Sequence, residues 1–187
     1  MKAAANVSTD IHVVMGVSAC GKSTVGRLLA RARGATYLDG DDFHPPENVA
    51  RMATGQALTD ADRQGWLSAL RARLAQARTA REGVVLSCSA LKRRYRDLLR
   101  QGAPDLQLVV LHGSRALLAA RIAARTDHYM PASLLDSQLA TLELPQADEN
   151  ALVFDVALTP QQIVDAIQQT RTPAMSEFGK IILCTDS

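Results

Sequence analysis

The clearest chemical signal in the chain is a glycine-rich run near its start. Residues Gly16-Val17-Ser18-Ala19-Cys20-Gly21-Lys22-Ser23 match the pattern G-x-x-x-x-G-K-[ST]. In such a loop the backbone N–H groups and the N-terminus of the following helix attract a β-phosphate. Lys22 would reach the β- and γ-phosphates, and the Ser23 hydroxyl would bind Mg²⁺. The run predicts a site for a nucleoside triphosphate and its Mg²⁺.

An acidic segment follows the second predicted strand. Asp39, Asp41 and Asp42 place three carboxylates within four residues. Such charges repel one another unless a cation or hydroxyl donors lie among them, and Mg²⁺ with a polyhydroxylated substrate would supply both. At the carboxyl end of a strand the segment also lies where open α/β sheets bind ligands. The alternative is a solvated acidic turn.

Strands and helices that alternate along the chain would position both segments. Continuous apolar strands are predicted over residues 11–15, 36–38, 84–86, 106–111 and 152–156. Helices are predicted over residues 22–33, 45–54, 59–81, 91–100, 114–125, 131–142 and 160–170, and Gly83 is expected to close the third. Buried strands separated by helices indicate an α/β fold of three layers, with a five-stranded parallel sheet between two layers of helices. The domain is predicted to span residues 1–172, and residues 173–187 form a tail of unassigned role.

Composition narrows the class of protein. The chain has 187 residues, 47% of them hydrophobic, and a formal net charge of +2. That length suits one domain, and the nearly balanced charge gives no support to nucleic-acid binding. No apolar run approaches the roughly 20 residues that span a membrane. Cys20, Cys88 and Cys184 are odd in number and lack a Cys-x-x-Cys spacing, which favours the cytoplasm.

The class of nucleotide-binding protein also follows from the residues. A regulatory GTPase would need an Asn-Lys-x-Asp motif, and the chain has none. It is also too short for a motor or transporter ATPase with its accessory parts. A kinase for a small molecule remains.

Several segments together make the chain resemble the gluconokinase family of sugar-acid kinases, relatives of shikimate kinase and the nucleoside monophosphate kinases. The matching segments are residues 16–23, 39–48, 55–62 with Arg63 and Trp66, 87–92, 95–97, 128–131, Gln138 and 141–143. The departures are Ala19-Cys20, where the family usually has Gly-Ser, and the tail. The resemblance implies a P-loop fold of the nucleoside monophosphate kinase type, with a mobile lid over about residues 122–132. It further implies Mg²⁺- and ATP-dependent conversion of D-gluconate to 6-phospho-D-gluconate, as a homodimer.

Residue roles follow from the resemblance and the chemistry together. The predicted catalytic residues are Lys22, Asp41 and Arg125, with Asp41 accepting or orienting the substrate hydroxyl. ATP would contact Gly16, Val17, Ser18, Ala19, Cys20, Gly21, Lys22, Ser23, Thr24, Arg121 and Arg125. By analogy with shikimate kinase, Asp39 would hold Mg²⁺ through water, and Ser23 is the other predicted metal residue. The individual roles of Asp39, Asp41 and Asp42 stay open.

The carboxylate of the substrate needs a cation on the acceptor side. The predicted acceptor-binding residues are Asp41, His44, Arg51, Arg63, Ser89 and Lys92. Each cation among them could instead be a surface charge, and His44 a structural histidine. Arg121 and Arg125 lie four residues apart on one helix face, which suits an anion between them. They could also simply favour the C-terminus of their helix.

Two other functions remain open. The chain could phosphorylate another small acceptor, such as shikimate, adenylyl sulfate or a nucleotide. Shikimate would want a glycine-rich turn after the third strand, where this chain has Ser87-Cys88-Ser89-Ala90. The chain could instead be a non-catalytic nucleotide-binding switch. The predicted partners are ATP and D-gluconate, with neither nucleic acid nor membrane.

Overall fold

A parallel sheet of five strands forms the centre of the molecule, seen in a computed structural model that describes residues 10–124 and 132–170. The strands are β1 (Ile11–Met15), β2 (Thr36–Asp39), β3 (Val84–Cys88), β4 (Gln107–His112) and β5 (Ala151–Asp155). They lie in the order β2-β3-β1-β4-β5, and every pair is parallel. The predicted five-stranded parallel sheet is confirmed.

Helices cover both faces of this sheet. They are α1 (Lys22–Arg33), α2 (Pro46–Ala53), α3 (Asp60–Ala80), α4 (Arg93–Gly102), α5 (Arg115–Ala123), α6 (Ala132–Thr141) and α7 (Pro160–Gln169), with short 3₁₀ helices at Gly40–Phe43 and Ala147–Glu149. α1 packs against α7, and α3 packs against α4. Because crossovers between parallel strands are right-handed, the chain's reversal of direction after β2 places α1 on one face and α3 with α4 on the other. The predicted α/β fold with three layers is confirmed.

The core explains why the central strands are mostly apolar. All five residues of β1 and of β3 are buried. Both strands have neighbours on each side and helices on each face, so neither face of either strand meets water. Trp66 is the largest fully buried side chain and comes from α3. This core fixes the carboxyl ends of the strands, where the candidate site lies.

The helix ends show where the sequence prediction was right and where it was wrong. α3 begins, as expected, behind Thr59, whose side chain forms a capping box with Asp62. It does not end at Gly83. Arg81 closes it in the left-handed conformation, with φ 52° and its N–H bonded to the carbonyls of Ala77 and Arg78. The closing turn therefore comes two residues before the glycine, at a residue for which the left-handed conformation is strained.

Candidate active site

The glycine-rich loop joins β1 to α1 and closes tightly over the sheet. Gly16 has φ 153°, and a Cβ on it would lie 2.4 Å from the carbonyl oxygen of Leu111. Gly21, with φ 95°, is the N-cap of α1. Ala19 has φ 62°, which is a left-handed and strained conformation for alanine. The loop therefore keeps its turn without the glycine that often stands at this position.

The two polar side chains at the start of α1 point back toward the loop and toward β2. Lys22 Nζ donates to the carbonyl oxygen of Val17 at 3.0 Å. Ser23 Oγ donates to Asp39 Oδ2 at 3.3 Å. The structure therefore brings together the serine and the aspartate that the sequence assigned to Mg²⁺.

Asp39 is oriented by side chains that were not predicted from the sequence as site residues. Tyr37 OH donates to Asp39 Oδ2 at 2.9 Å, and the Tyr37 oxygen lies 2.7 Å from Ser87 Oγ. Ser87 Oγ also reaches Asp39 Oδ1 at 3.4 Å, and the backbone N–H of Asp41 reaches the same oxygen at 3.3 Å. Tyr37 and Asp39 are two apart on β2, so the alternation of a strand places them on one side. The parallel register pairs Asp39 with Ser87.

These groups suit a hard cation. Mg²⁺ is usually held by one or two carboxylates or hydroxyls together with substrate phosphates and water, not by a cage of protein ligands. Ser23 and Asp39 provide that small oxygen set next to the predicted phosphate site. Within residues 10–124 and 132–170 no group of three or more His, Cys, Asp or Glu side chains could hold a metal ion. The donors present fit Mg²⁺ bound partly by nucleotide.

Asp41 lies at the carboxyl end of β2 in the 3₁₀ helix Gly40–Phe43. Removal from water raises the pKa of its carboxyl above the usual range, and the nearby Asp39 and Asp42 carboxylates raise it further. The positive charges of Lys22 and Arg63 act in the opposite direction. A carboxylate whose pKa is raised above its usual range is a better proton acceptor than an ordinary aspartate.

His44 is held against the floor of the site. Its ring stacks on that of Trp66 with centroids 4.5 Å apart and 9° between the planes. Trp66 Nε1 donates to the carbonyl oxygen of Gly40 at 2.7 Å, so it fixes the turn that carries Asp41. Burial, aided by the charge of Arg63, lowers the pKa of His44 to about 4, and no described group forms a hydrogen bond with its buried Nδ1. At neutral pH His44 therefore offers a neutral ring and not a cation.

A cleft of about 230 Å³ lies between the start of α3, the start of α4 and α6. It is lined by Met52, Gln56, Ala57, Leu58, Thr59, Asp60, Arg63, Leu91, Lys92, Tyr95, Leu134, Ser137, Gln138 and Thr141. We call it the acceptor cleft. It contains two of the predicted acceptor-binding cations, Arg63 and Lys92.

Asp60 lies in the wall of the acceptor cleft and accepts hydrogen bonds from three neighbouring side chains. Lys92 Nζ lies 2.9 and 3.0 Å from its two carboxylate oxygens, and Arg94 and Tyr95 also donate to it. The hydrogen bonds from Tyr95 and Lys92 hold the pKa of Asp60 well below its usual range. Lys92 is therefore fixed at the cleft by an internal carboxylate.

The remaining predicted residues occupy separate places. Arg51 Nη1 pairs with Asp62 at 2.6 Å, and Ser89 lies half-buried in the turn after β3. Arg121 Nη2 donates to the carbonyl oxygen of Val156 at 2.6 Å. Arg125 and most of the predicted lid lie outside the described residues, as does the predicted tail. The roles assigned to these residues stay predictions.

One contact links the loop to α6. Gln138 Oε1 accepts a hydrogen bond from the backbone N–H of Ser18 at 2.7 Å, across 120 residues of sequence. The loop therefore adjoins the acceptor cleft, whose lining includes Gln138. In the described part of the chain no helix is long and apolar enough to cross a membrane.

Comparison with known proteins agrees with this arrangement. The sequence profile of a family described as "AAA domain" matches residues 11–145. The gluconokinase of Gluconobacter oxydans is 51% identical over 83% of this chain and 87% of its own length. The thermoresistant gluconokinase of Escherichia coli is 43% identical over 81% of this chain and 87% of its own. The chain belongs to the gluconokinase family.

Solved structures support the same family and fold. A gluconokinase from Sinorhizobium meliloti superposes with a TM-score of 0.78 at 50% identity, covering 85% of this chain and 89% of that one. A shikimate kinase from Bacteroides thetaiotaomicron, with a TM-score of 0.61 and 16% identity, covers 86% of this chain and 97% of its own. The second likeness concerns the fold alone. The predicted P-loop kinase fold, with shikimate kinase among its structural relatives, is confirmed.

Proposed function

We propose that the protein transfers the γ-phosphoryl group of ATP to D-gluconate, which gives ADP and 6-phospho-D-gluconate. The observation that carries this proposal is the acceptor cleft with Arg63 and Lys92 beside a phosphate-binding loop, in a chain 51% identical to a gluconokinase. Phosphoryl transfer asks a protein mainly to position its reactants and to neutralise charge. The site contains groups for each of these tasks.

On the nucleotide side, the loop from Gly16 to Ser23 and the neighbouring Thr24 would hold the phosphates of ATP. Lys22, now bonded to Val17, would turn its ammonium group to the β- and γ-phosphates. Ser23 and Asp39 would hold Mg²⁺, which when bound neutralises phosphate charge. Arg121 and Arg125 stay candidates for contact with the phosphates.

On the acceptor side, Asp41 would orient the attacking hydroxyl and accept its proton. Its raised pKa suits that task, although an alcohol barely ionises at neutral pH, so orientation is the larger part of its contribution. Arg63 and Lys92 would bind the carboxylate of the sugar acid through charge-assisted hydrogen bonds, worth about 1.5–3 kcal/mol each. Arg51, His44 and Ser89 would complete the acceptor side, with His44 contributing hydrogen bonding and not charge.

The proposal includes the organisation of the chain. We expect one kinase domain over residues 1–172 with a lid over about 122–132, a homodimer, and a cytoplasmic location. Size-exclusion chromatography with light scattering would test the dimer, and a mass of one chain, 20.1 kDa, would contradict it.

The deciding experiment is Mg²⁺-dependent ADP formation measured with one acceptor at a time. The acceptors are D-gluconate, shikimate, adenylyl sulfate and nucleoside monophosphates. Formation of ADP with gluconate alone, and of 6-phospho-D-gluconate as product, is the expected result. Turnover with another acceptor would replace the substrate, and ATP binding without any turnover would favour the nucleotide-binding switch. Lys22→Met is the control that should abolish phosphoryl transfer.

A further inference from the structure

We propose that Gln138 is an acceptor-binding residue whose side-chain amide recognises one oxygen of the sugar acid from a position fixed by the phosphate loop. This inference rests on the proposed function, because it concerns how the same site selects its acceptor. It starts from the hydrogen bond between Gln138 Oε1 and the backbone N–H of Ser18, at 2.7 Å.

That bond fixes which way the amide points. The Ser18 N–H can only donate, so the oxygen of the amide and not its nitrogen must face the loop. Nε2 of Gln138 is therefore directed away from the loop. Nε2 has two hydrogens to donate to another partner.

The position of Gln138 shows what such a donor would meet. The residue lines the acceptor cleft together with Arg63 and Lys92, and it also contacts the loop that binds phosphates. The acceptor hydroxyl must reach the γ-phosphoryl between these two places. A donor at this junction therefore faces an oxygen of the acceptor when the cleft is filled.

The helix that carries Gln138 is anchored to the other side of the cleft. Just beyond α6, the N–H of Glu143 donates to the carbonyl oxygen of Leu91 at 2.9 Å, and Arg96 Nη1 donates to the carbonyl oxygen of Glu143 at 3.0 Å. The Glu143 carboxylate accepts the N–H of Arg93 at 2.6 Å. These contacts join α6 to the segment that carries Lys92. The amide is thus held at a defined place relative to the proposed carboxylate-binding cation.

The chemistry of the amide suits selection among polyhydroxylated acids. A neutral donor adds little to the attraction of an anion, but it discriminates against a molecule that lacks the oxygen it is placed to meet. Arg63 and Lys92 would select for the carboxylate, and Gln138 would select for a hydroxyl pattern. The two kinds of group divide the recognition of a sugar acid between charge and hydrogen bonding.

The test is a cycle between one variant and a set of substrates. Gln138→Met removes both ends of the amide and keeps the length and helix propensity of the side chain. We would measure kcat/KM for D-gluconate and for its 2-, 3-, 4- and 5-deoxy analogues with wild type and variant. The wild type should lose about tenfold to a hundredfold with the analogue that lacks the recognised hydroxyl, and in the variant that penalty should vanish.

Two further variants separate donation by Nε2 from the bond to Ser18. Gln138→Glu keeps an oxygen for the Ser18 N–H and loses the amide donor, so it should also lose the penalty. Gln101→Met removes a surface glutamine bonded to Arg71 and should leave all penalties as in wild type. The inference would be overturned if Gln138→Met kept the full wild-type penalty, or if Gln138→Glu showed a penalty as large as that of wild type.

The result is distinguishable from failure of the proposed function. Wild-type turnover with gluconate tests that function before any variant is compared. If the wild type phosphorylates a different acceptor, the function is replaced, and the same cycle with deoxy analogues of that acceptor decides the role of Gln138. A wild type that phosphorylates none of the acceptors would overturn both.

Discussion

Ser23 donates its hydroxyl to Asp39 across the gap between the phosphate-binding loop and β2, with 3.3 Å between Oγ and Oδ2. The aspartate is held in turn by Tyr37 and Ser87 and by the backbone N–H of Asp41. Two oxygen groups from distant parts of the chain are thus preset where Mg²⁺ would accompany ATP. The prediction that Ser23 and Asp39 bind Mg²⁺ can therefore be tested by substituting each residue.

We expect Ser23→Ala and Asp39→Asn each to raise the Mg²⁺ concentration that gives half-maximal turnover by about tenfold or more, because the first removes an oxygen ligand and the second removes the negative charge of one. Tyr37→Phe should have a smaller effect, since it removes only a group that orients Asp39. The measurement is a Mg²⁺ titration of ADP formation at saturating ATP and gluconate. Unchanged titration curves for the first two variants would exclude these residues as ligands.

Asp41 provides a prediction for the pH dependence. If it must be ionised to accept the substrate proton, kcat/KM falls as the pH drops through its raised pKa. Arg63 lowers that pKa and Asp42 raises it. Arg63→Met should therefore move the acid limb to higher pH, and Asp42→Asn should move it to lower pH. Asp41→Asn should reduce turnover by about 10²–10⁴-fold.

The comparison variant is Arg51→Met. Arg51 pairs with Asp62, and the charges that act most strongly on Asp41 are those of Lys22, Asp39, Asp42 and Arg63. Its acid limb should coincide with that of wild type, even if its KM for gluconate rises. Shifts of Arg63→Met and Asp42→Asn in the same direction, or full turnover by Asp41→Asn, would refute the role given to Asp41.

The local parts of this site could be predicted from sequence. The loop pattern, the continuous apolar strands and the capping residues at Thr59 each act over a few neighbouring residues, and the structure confirms the elements they indicate. Helix ends were less predictable. Arg81 closes α3 where Gly83 was expected, although glycine adopts the left-handed conformation with less strain.

Contacts between distant residues could not be predicted. Nothing near Gln138 shows that it meets Ser18, and nothing near His44 shows that it stacks on Trp66. The contact of Tyr37 with Asp39 could be predicted only weakly, from its position two residues earlier on the same strand. The fold narrows the choice of acceptor-binding cation only in part. It places Arg63 and Lys92 in the lining of the acceptor cleft, but Lys92 pairs with Asp60 there, as Arg51 pairs with Asp62.

His12 links the sheet to acid stability. It lies in β1 with 3% of its surface exposed. Burial, with help from Arg33, lowers its pKa from 6.5 to about 4. The unfolded chain therefore binds a proton at pH values where folded His12 does not. The free energy of unfolding falls as the pH drops from about 6.5 to 4, and the full contribution of His12 is present above that window. The contribution is on the order of 3 kcal/mol.

The measurement is urea unfolding at several pH values between 4 and 7. The slope of unfolding free energy against pH reports how many more protons the unfolded chain binds than the folded chain. His12→Asn should lower that number by about one, and part of the remaining slope comes from His44. His112→Gln, at an exposed position, should keep the wild-type slope. If His12→Asn also keeps it, His12 is protonated equally in the folded and unfolded chains.

The buried pair Arg96 and Glu149 is expected to matter most for stability near the cleft. Their side chains are 1% and 2% exposed, and Arg96 Nε lies 2.5 Å from Glu149 Oε2. Burial alone would raise the pKa of Glu149, but the hydrogen bonds from Arg96 and the backbone of Gln146 lower it to about 2. Arg96→Met leaves this buried carboxylate with Arg100, 3.3 Å from Oε2, as its remaining charged partner, and should cost up to about 3–5 kcal/mol.

The double variant Arg96→Met/Glu149→Leu should recover part of that loss, because it removes the buried carboxylate together with Arg96, while Arg100 keeps its pair with Asp97. Arg93→Met, which breaks an exposed pair with Asp148, should cost no more than about 1 kcal/mol. Urea unfolding at neutral pH measures all three. Since Arg96 also holds the carbonyl oxygen of Glu143 beyond α6, Arg96→Met should raise the KM for gluconate even at temperatures where it stays folded. An unfolding free energy for Arg96→Met within about 1 kcal/mol of wild type would show that the pair does not anchor this part of the site.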